Sequence, residues 1–208
     1  MKLQLTIEFK TPAHHGSGFG LAGVVDRAVL RSGDGTPYLA GSAIKGKFRF
    51  AMLQLLEARR EPWCGPPKAR WCREAPWCSL CGIFGSPMNP GSAVFEDAFP
   101  EETARRVLYA QMEGHASSFH AGGTNIRAST AIDRKRRTVR PQHLFTTETV
   151  SAVVRFEGAI DGIQNGAHTR LLGECCKLLT TFGAGGARGL GFCRYEITPA
   201  APPVEKEP

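Results

Sequence analysis

The sequence lacks the features of exported and membrane-spanning proteins. Its 208 residues contain no apolar run that approaches the roughly 20 residues a membrane-spanning helix needs. The first residues, Met1–Glu8, alternate between apolar and polar side chains, and they lack the apolar block of a signal peptide. We therefore expect a cytoplasmic protein.

The seven cysteines do not fit a disulfide framework. Their number is odd, no export signal precedes them, and four of them lie between Cys64 and Cys81. Cys78 and Cys81 have the spacing of one half of a zinc knuckle, and Cys64 and Cys72 in the same proline-rich stretch would complete a structural zinc site. The alternative is a set of reduced, unliganded thiols, and the irregular spacing of Cys64 and Cys72 makes their part in the site less secure. The remaining cysteines are expected at core positions: Cys175, Cys176 and Cys193.

Acidic residues are too few to balance the basic ones. The formal net charge is +7, and the excess is concentrated in two segments. Arg127–Arg140 holds six basic residues against one acid, and Arg59–Arg73 holds five against one. Such patches indicate a polyanion partner, most simply a nucleic acid, although a solvated surface is the alternative.

Hydrophobic periodicity predicts an α+β domain. In chain order, the predicted strands and helices are the strand Lys2–Lys10, the short strand Val24–Arg31, the helix Ser42–Arg59, the strands Ser92–Phe99, Arg106–Glu113 and Val150–Ile160, the helix Asn165–Phe182 and the strand Leu190–Thr198. With insertions removed, this order is the ferredoxin-like, RRM-like βαββαβ unit, a four-stranded antiparallel sheet with two helices on one face. The sequence has no aromatic RNP motif, so we do not expect bases to stack on the sheet.

Each predicted helix carries one apolar face. The first, capped by Ser42, buries Ile44, Phe48, Met52, Leu55 and Leu56. The second buries Ala167, Leu171, Leu172, Cys175, Leu178, Leu179 and Phe182.

The second helix leads into a glycine-rich loop, Thr181–Gly191. Five glycines within nine residues permit positive φ angles and a close approach of the backbone to a ligand. Exposed amides beside Arg188 would suit a phosphate chain. The alternative is a simple turn.

Gly114–Thr147 is long, polar and basic, and such segments are usually functional or disordered. Its spaced apolar residues favour an ordered structure over a disordered electrostatic arm: Ile126, Ile132, Val139 and Leu144.

Five motifs follow one another along the chain: the loop His14–Gly18, the run Pro37–Arg49, the run Cys78–Gly85, the stretch Thr130–Arg134 and the C-terminal glycine loop. Together they resemble the RAMP superfamily of CRISPR-associated proteins, and more narrowly the repeated backbone subunit of type III effector complexes. The resemblance extends to about Ile197.

The resemblance implies an antiviral ribonucleoprotein in which copies of the subunit, with other type III effector subunits, stack along a guide CRISPR RNA. A protruding thumb would displace one guide–target base pair per subunit. In the subunits that cut, a single aspartate after the first strand cleaves the paired target RNA with Mg²⁺ or another divalent metal. That position corresponds to Asp26, for which a surface pair with Arg27 is the alternative interpretation.

The resemblance also implies contacts to RNA by residues of several motifs. The predicted RNA-binding residues are His14, His15, Ser42, Lys45, Arg49, Arg127, Arg134, Arg136, Arg137, Gly185, Gly186 and Arg188. The two histidines could instead be structural or act as acid–base groups. Lys45 and Arg49, one helical turn apart, could instead lie on a solvated helix edge.

We expect a single RAMP domain over residues 1–198, with the zinc insertion at 60–90, the thumb at 114–148 and a disordered tail at 199–208. Three alternative functions stay open. They are a non-catalytic architectural RNA-binding subunit, a guide-precursor endonuclease that uses His14 or His15 without metal, and a zinc module for protein contacts alone.

Overall fold

An antiparallel sheet forms the centre of the fold. The computed structural model describes residues 1–21, 25–65, 71–106, 124–152 and 154–200. The sheet strands in these ranges are β1 (Leu3–Phe9), β2 (Val94–Phe95), β3 (Phe99–Pro100), β6 (Arg155–Asp161) and β7 (Cys193–Pro199). A separate hairpin consists of β4 (Thr124–Asp133) and β5 (Thr138–Val150). The helices are α1 (Gly41–Ala58), α2 (Ser79–Phe84) and α3 (Gly166–Leu178), with a 3₁₀ turn at Gly186–Arg188.

The strand order is β2-β6-β1-β7, with β3 also paired to β6. All of these pairings are antiparallel. If β2 and β3 are taken as one interrupted strand, this is the order of a ferredoxin-like βαββαβ unit. The predicted fold class is therefore confirmed.

Alternation along β1 places one face of the strand in the core. Leu3, Leu5, Ile7 and Phe9 are all buried, while the residues between them are partly exposed. Since β1 lies between β6 and β7, its buried side chains meet both helices and the neighbouring strands.

The apolar stripe of α1 is confirmed, but its start differs from the prediction. Four of the five predicted side chains are fully buried: Ile44, Phe48, Met52 and Leu56. The fifth, Leu55, is partly buried and packs against the core. The N-cap residue is Ala40, not Ser42, and no side chain of the cap residue makes the capping bond. Instead, Asp97 Oδ1 accepts a hydrogen bond from the Gly41 N–H at 2.7 Å.

Helix α3 is shorter than predicted. Asn165 caps it by accepting a hydrogen bond from the His168 N–H at 2.9 Å, and it ends at Leu178. Ala167 and Leu178 are exposed, contrary to the prediction. Its buried face comprises Leu171, Leu172, Cys175 and Cys176, and the next buried apolar residues, Leu179 and Phe182, follow the helix end.

Three predicted strands also need correction, and a fourth lies mostly outside the described residues. The strand predicted at Ser92–Phe99 consists of the two short strands β2 and β3, separated where Ala98 pairs with Leu39. The strand predicted at Val150–Ile160 is two strands, since Val150 ends β5 and Arg155 begins β6. In the predicted strand Val24–Arg31, the described residues form isolated bridges rather than a regular strand. Of the strand predicted at Arg106–Glu113, residues 107–113 lie outside the described residues, and residues 102–106 are helical.

The described part of the predicted thumb, residues 124–148, belongs to the β4–β5 hairpin, and residues 114–123 lie outside the described ranges. Most of the predicted tail, residues 201–208, also lies outside them. Within the described ranges, no helix combines the length and the apolarity that a membrane crossing requires.

Candidate nucleic-acid interface and metal centre

Asp26 lies on a segment that runs alongside the base of the hairpin. Arg27 N donates a hydrogen bond to Thr146 O at 3.2 Å, and Glu148 N donates to Arg27 O at 2.9 Å. These two bonds make a parallel pairing between Arg27 and Thr147 of β5. The loop after β1 is thereby attached to a strand more than 100 residues away in the chain.

Thr146 orients the Asp26 carboxylate. Asp26 Oδ2 accepts one hydrogen bond from Thr146 N at 2.7 Å and another from Thr146 Oγ1 at 3.0 Å. The hydrogen bond from the Thr146 amide, reinforced by its hydroxyl, lowers the pKa of Asp26 below its ordinary value. The side chain is exposed, so this carboxylate is ionised and accessible from solvent.

A basic groove begins at Arg27, the residue after Asp26. It is lined by His14, Arg27, Arg127, Ser129, Phe145, Thr147, Ala184, Gly185, Arg188 and Leu190. Four of these residues, from three separate motifs, were predicted to bind RNA: His14, Arg127, Gly185 and Arg188. Arg27 and Phe145 were not predicted, and the Arg27 guanidinium carbon lies 5.1 Å from the centroid of the Phe145 ring.

Backbone pairing brings the glycine loop to the histidine loop. Ala184 N donates a hydrogen bond to His14 O at 2.8 Å. Gly183 permits this approach, because it has a φ of +85° and a Cβ at that position would overlap His14 O. Gly185 and Gly189, both left-handed, flank the 3₁₀ turn that presents Arg188.

The two adjacent histidines have different environments. His14 Nδ1 lies 2.7 Å from Glu148 O, and since a carbonyl oxygen only accepts, Nδ1 carries the proton. The His15 ring packs edge-on against Phe156 at 5.9 Å, and its two nitrogens have no hydrogen-bond partner within the described part of the chain. Burial, followed by the neighbouring His14, lowers the pKa of His15 to about 3. His15 is therefore neutral at physiological pH, which favours the structural interpretation of this residue.

The predicted RNA-binding residues of α1 do not line the groove. Lys45 Nζ lies 3.5 Å from Ala93 O, and Arg49 Nη1 donates to Gly85 O at 3.0 Å. The Arg49 guanidinium also lies over the Trp71 ring, 5.2 Å from its centroid. These contacts tie α1 to the insertion and to the chain that follows α2. Ser42 is exposed at the start of the helix.

Lys47 is a cation of α1 that the sequence analysis missed. It lines a cavity together with His14, His15 and Gly183. Ala43, which lines the same cavity, lies one helical turn before Lys47, so helical spacing would group these two residues. The sequence does not show that this side of α1 faces the histidine loop, because that contact depends on the tertiary structure.

The tip of the hairpin carries further predicted contacts. Arg134, Arg136 and Arg137 lie in the exposed turn at residues 134–137, outside the groove. Asp133 Oδ1 stabilises this turn by accepting hydrogen bonds from the amides of Lys135 and Arg136 at 2.9 and 3.1 Å. In the described part of the predicted thumb, the chain on either side of this turn is regular β-strand.

Glu148 is a further residue that the sequence analysis missed. It lies at the buried end of β5, with only 5% of its surface exposed. Oε1 accepts hydrogen bonds from Arg31 Nη2 at 2.6 Å and Thr124 Oγ1 at 2.7 Å, and Oε2 accepts one from Val29 N at 2.9 Å. Burial alone would raise the pKa of Glu148, but these hydrogen bonds outweigh it and hold the pKa below its ordinary value. One sequence signal could have indicated that Glu148 is important: it is an acidic residue at the end of a strand that is expected to be buried.

The four cysteines of the insertion converge on one point. The Sγ atoms of Cys64, Cys72, Cys78 and Cys81 all lie within 4.8 Å of one another. Cys64 Sγ is 3.4 Å from the sulfurs of Cys72 and Cys78 and 3.0 Å from that of Cys81. Tetrahedral zinc with zinc–sulfur bonds of about 2.3 Å separates its ligands by about 3.8 Å, so this quartet has the composition and size of a structural metal site.

This quartet can bind a metal such as zinc. It is the one group of three or more metal-ligating side chains in the residues that the structure describes. Cys78 is the N-cap residue of α2 and Cys81 lies in that helix, while Cys64 and Cys72 come from the irregular chain before it. The convergence of Cys64 and Cys72 with the other pair agrees with the prediction despite their irregular spacing.

Comparison with known proteins identifies the family. The RAMP superfamily matches residues 6–194, which is most of the chain. The chain belongs to the RAMP superfamily. A comparison with curated proteins finds no match.

Solved structures share the fold of this RAMP-superfamily chain. One is a chain of the type III-B Cmr-beta complex bound to cognate target RNA, with a TM-score of 0.65 and 14% identity. That match covers 95% of this chain and 97% of the other. A chain of the same complex in its apo state has a TM-score of 0.64 and 13% identity, with the same coverage of both chains. At these identities the likeness establishes the fold, and it confirms the expected α+β architecture.

The predicted site residues of this RAMP domain fall into separate places. The groove gathers His14, Arg127, Gly185 and Arg188 next to the Asp26 segment. Gly186 begins the 3₁₀ turn beside that groove. The α1 residues, the hairpin tip and the cysteine quartet lie outside the set of residues that line it.

Proposed function

We propose that this chain is a guide-RNA-binding backbone subunit of a type III CRISPR effector. We further propose that it cleaves complementary target RNA, with Asp26 as the catalytic residue and a divalent metal as cofactor. Its partners are the guide CRISPR RNA, the target RNA, further copies of itself and other type III subunits. The family and the shared fold support the type of complex. The observation that carries the catalytic part is the exposed Asp26 carboxylate, which Thr146 orients and which directly precedes Arg27 of the basic groove.

The groove has the chemistry of a site for a nucleic-acid backbone. Arg27, Arg127 and Arg188 supply guanidinium groups, which pair with phosphate oxygens through two hydrogen bonds each. Gly185 supplies backbone that a strand can approach closely. Such contacts hold a strand without reading its sequence, as a subunit that serves any guide requires.

Asp26 has the properties of an orienting carboxylate. Thr146 bonds to Oδ2 only, and the low pKa keeps the group charged at neutral pH. Mg²⁺ is commonly held by one or two carboxylates together with substrate phosphates, so a single aspartate beside bound RNA fits this requirement. When bound, the metal would offset negative charge that develops on phosphate oxygens. Asp26 itself would orient the target 2′-hydroxyl towards the adjacent phosphate, while the arginines of the groove hold the strand in place.

A metal-independent guide-precursor endonuclease has less support. His15 is neutral and buried, so it cannot supply a proton near neutral pH. His14 has its Nδ1 proton committed to Glu148 O, which leaves only Nε2 for chemistry. The quartet of cysteines is best explained as a structural zinc site that orders the insertion.

The decisive experiment replaces Asp26 in the assembled effector. Asp26→Asn keeps an oxygen that can accept the Thr146 hydrogen bonds but removes the charge, and Asp26→Ala removes both. We expect target cleavage to fall by about 10²-fold or more in each, with target binding within about twofold of wild type. Glu57→Ala, at an exposed acid on α1, is the matched control and should cleave normally.

Cleavage that persists at the same positions in Asp26→Ala would contradict the catalytic assignment and would support the architectural alternative. Loss of target binding together with cleavage would instead identify Asp26 as a structural residue. Chelation with EDTA should abolish cleavage by the wild-type complex, and cleavage that is insensitive to EDTA would contradict the metal requirement.

A further inference from the structure

Glu148 occupies the point where β5 changes its partner. Arg27 pairs with Thr147 in parallel, so a regular ladder would continue with Val29 N donating to Glu148 O. That bond is absent here. Val29 N donates instead to the Glu148 side chain, Oε2, at 2.9 Å. The carboxylate thus replaces the carbonyl of its own residue in the ladder.

The carbonyl that is released in this way binds the histidine loop. Glu148 O accepts the hydrogen bond from His14 Nδ1 at 2.7 Å. Two residues further along β5, Val150 pairs with Ala13 through two backbone hydrogen bonds of 2.8 and 3.0 Å. Strand β5 therefore holds the Asp26 segment on one side of Glu148 and the histidine loop on the other.

The second carboxylate oxygen extends this junction. Glu148 Oε1 accepts hydrogen bonds from Arg31 at 2.6 Å and from Thr124, the first residue of β4, at 2.7 Å. Arg31 is further fixed by donating to Gly35 O at 2.6 Å. Both carboxylate oxygens thus accept hydrogen bonds from protein donors inside the fold, and the residue is buried, so Glu148 is not placed to reach a substrate as a metal ligand or a proton carrier.

We propose that Glu148 is a positioning residue, which fixes the Asp26 segment relative to His14 and the hairpin base. The proposal rests on the proposed function for its catalytic consequence. A negative charge suits this position because three donors, one of them the Arg31 cation, converge on the carboxylate, while His14 donates to the carbonyl of the same residue. An amide would direct its NH₂ group at one of these donors and would leave Arg31 without its counter-charge.

The test compares Glu148→Gln with wild type in the assembled effector. We expect the single-turnover rate of target cleavage at saturating target to fall by about 10²-fold, since a misplacement of about 1 Å can cost that much, while target affinity changes less than about threefold. Amide hydrogen exchange should accelerate in residues 25–31 and 13–16 and stay unchanged in α3. Glu157→Gln, at an exposed glutamate of β6, is the matched control and should change neither measurement.

If Glu148→Gln does not assemble, Thr124→Val is the milder variant. It removes one donor to Oε1 and one acceptor for Arg31, but it keeps the ion pair between Arg31 and Glu148. It should give a smaller rate loss of the same kind, about three- to tenfold. An unchanged rate, or a fall in rate and affinity together with faster exchange throughout the domain, would overturn the proposal.

Failure of the proposed function gives a different result. If Asp26→Ala cleaves normally, the catalytic assignment fails, but the exchange measurement still tests whether Glu148 holds the two loops. Unchanged exchange in residues 25–31 of Glu148→Gln would overturn the positioning role whatever happens to cleavage.

Discussion

The groove beside Asp26 and the cysteine centre are built in opposite ways. The groove combines residues from the loop after β1, the β4–β5 hairpin and the glycine loop, which are widely separated in the chain. The cysteine centre uses four residues that all lie between Cys64 and Cys81. One site is held by long-range backbone pairing and a buried carboxylate, and the other by side chains that converge within one insertion.

This difference teaches where each site draws its stability. The groove has its framework in the protein itself, through the bonds of Thr146, Glu148 and Ala184. The insertion contains one short helix among its described residues, and its four cysteine sulfurs are close enough together to bind one metal ion. The insertion should therefore depend on a metal for its order, whereas the groove should not. The following predictions test this separation, beginning with the largest effect.

Removal of the metal ligands should have the largest effect, confined to the insertion. Structural zinc in small domains binds with a free energy on the order of 10 kcal/mol. The double variant Cys78→Ser and Cys81→Ser should lose the bound zinc, measured by elemental analysis, and should show faster amide exchange in residues 60–90. RNA affinity at the groove should change much less. As a control, Cys175→Ser alters a buried cysteine of α3 and should retain the metal. Full zinc content in the double variant would contradict the assignment.

The second largest effect should come from disrupting the close backbone contact between the glycine loop and the histidine loop. Gly183→Ala introduces a Cβ that overlaps His14 O at a φ of +85°, so the glycine loop and the histidine loop must separate. We expect unfolding to become easier by about 3 kcal/mol, measured by denaturant titration, with weaker RNA binding. Gly186→Ala is the matched control, because the nearest atom to its Cβ would be Thr181 Cγ2 at 3.9 Å. Equal destabilisation of the two variants would refute this account of the groove.

The same contrast explains how much the sequence could predict. The cysteine centre was predictable because ligands close in sequence constrain one another through the short chain between them. The α1 stripe was predictable for a similar reason, since helical spacing places Ile44, Phe48 and Met52 on one face whatever they pack against. The RAMP motifs added Asp26 through the resemblance, not through any local pattern.

The junction at Glu148 was not predictable, because it depends on which strand the Asp26 segment lies beside. Periodicity also failed at breaks in the chain. Alternation continues from Val150 to Phe156 although β5 ends and β6 begins between them. Likewise, apolar spacing continues past Leu178 to Phe182, although the chain becomes extended at Leu179 and Thr181 pairs with Phe192. Spacing reports which side chains are apolar, not where the backbone changes direction.

The third prediction concerns pH and the buried His15, which lines the cavity with Lys47. His15 has a folded pKa of about 3, below its unfolded value of about 6.5, so the unfolded chain binds the extra proton between these values. Stability should therefore be complete above pH 6.5 and should fall as the pH decreases towards 3. At pH 5.5 the loss due to His15 is about 1.4 kcal/mol. Acid also protonates cysteine ligands and releases zinc, so wild-type stability alone cannot assign the effect.

His15→Leu separates the two contributions. The difference in unfolding free energy between wild type and His15→Leu, measured at pH 7.5 and pH 5.5, should change by about 1.4 kcal/mol, because the cysteine centre is common to both proteins. His168, whose pKa burial also lowers, cancels in the same way. A difference that does not depend on pH would mean that His15 takes up its proton in the folded state.

The smallest expected effect comes from replacing single arginines, one in the groove and one that contacts the insertion. Arg188 is exposed in the groove, whereas Arg49 is half-buried and bonded to Gly85 O beside Trp71. Arg188→Ala should weaken RNA binding by about 1 kcal/mol and reduce the slope of log affinity against log salt by about 0.7, the change for one phosphate contact to a single strand. Arg49→Ala should leave that slope unchanged and should accelerate amide exchange in residues 71–78. The salt slope is the better measure, because it reports how many counterions are released on binding. A loosened insertion could weaken binding indirectly, but it would not change that number. If the slope falls equally in both variants, Arg49 binds phosphate as the sequence predicted, and the separation between groove and insertion does not hold.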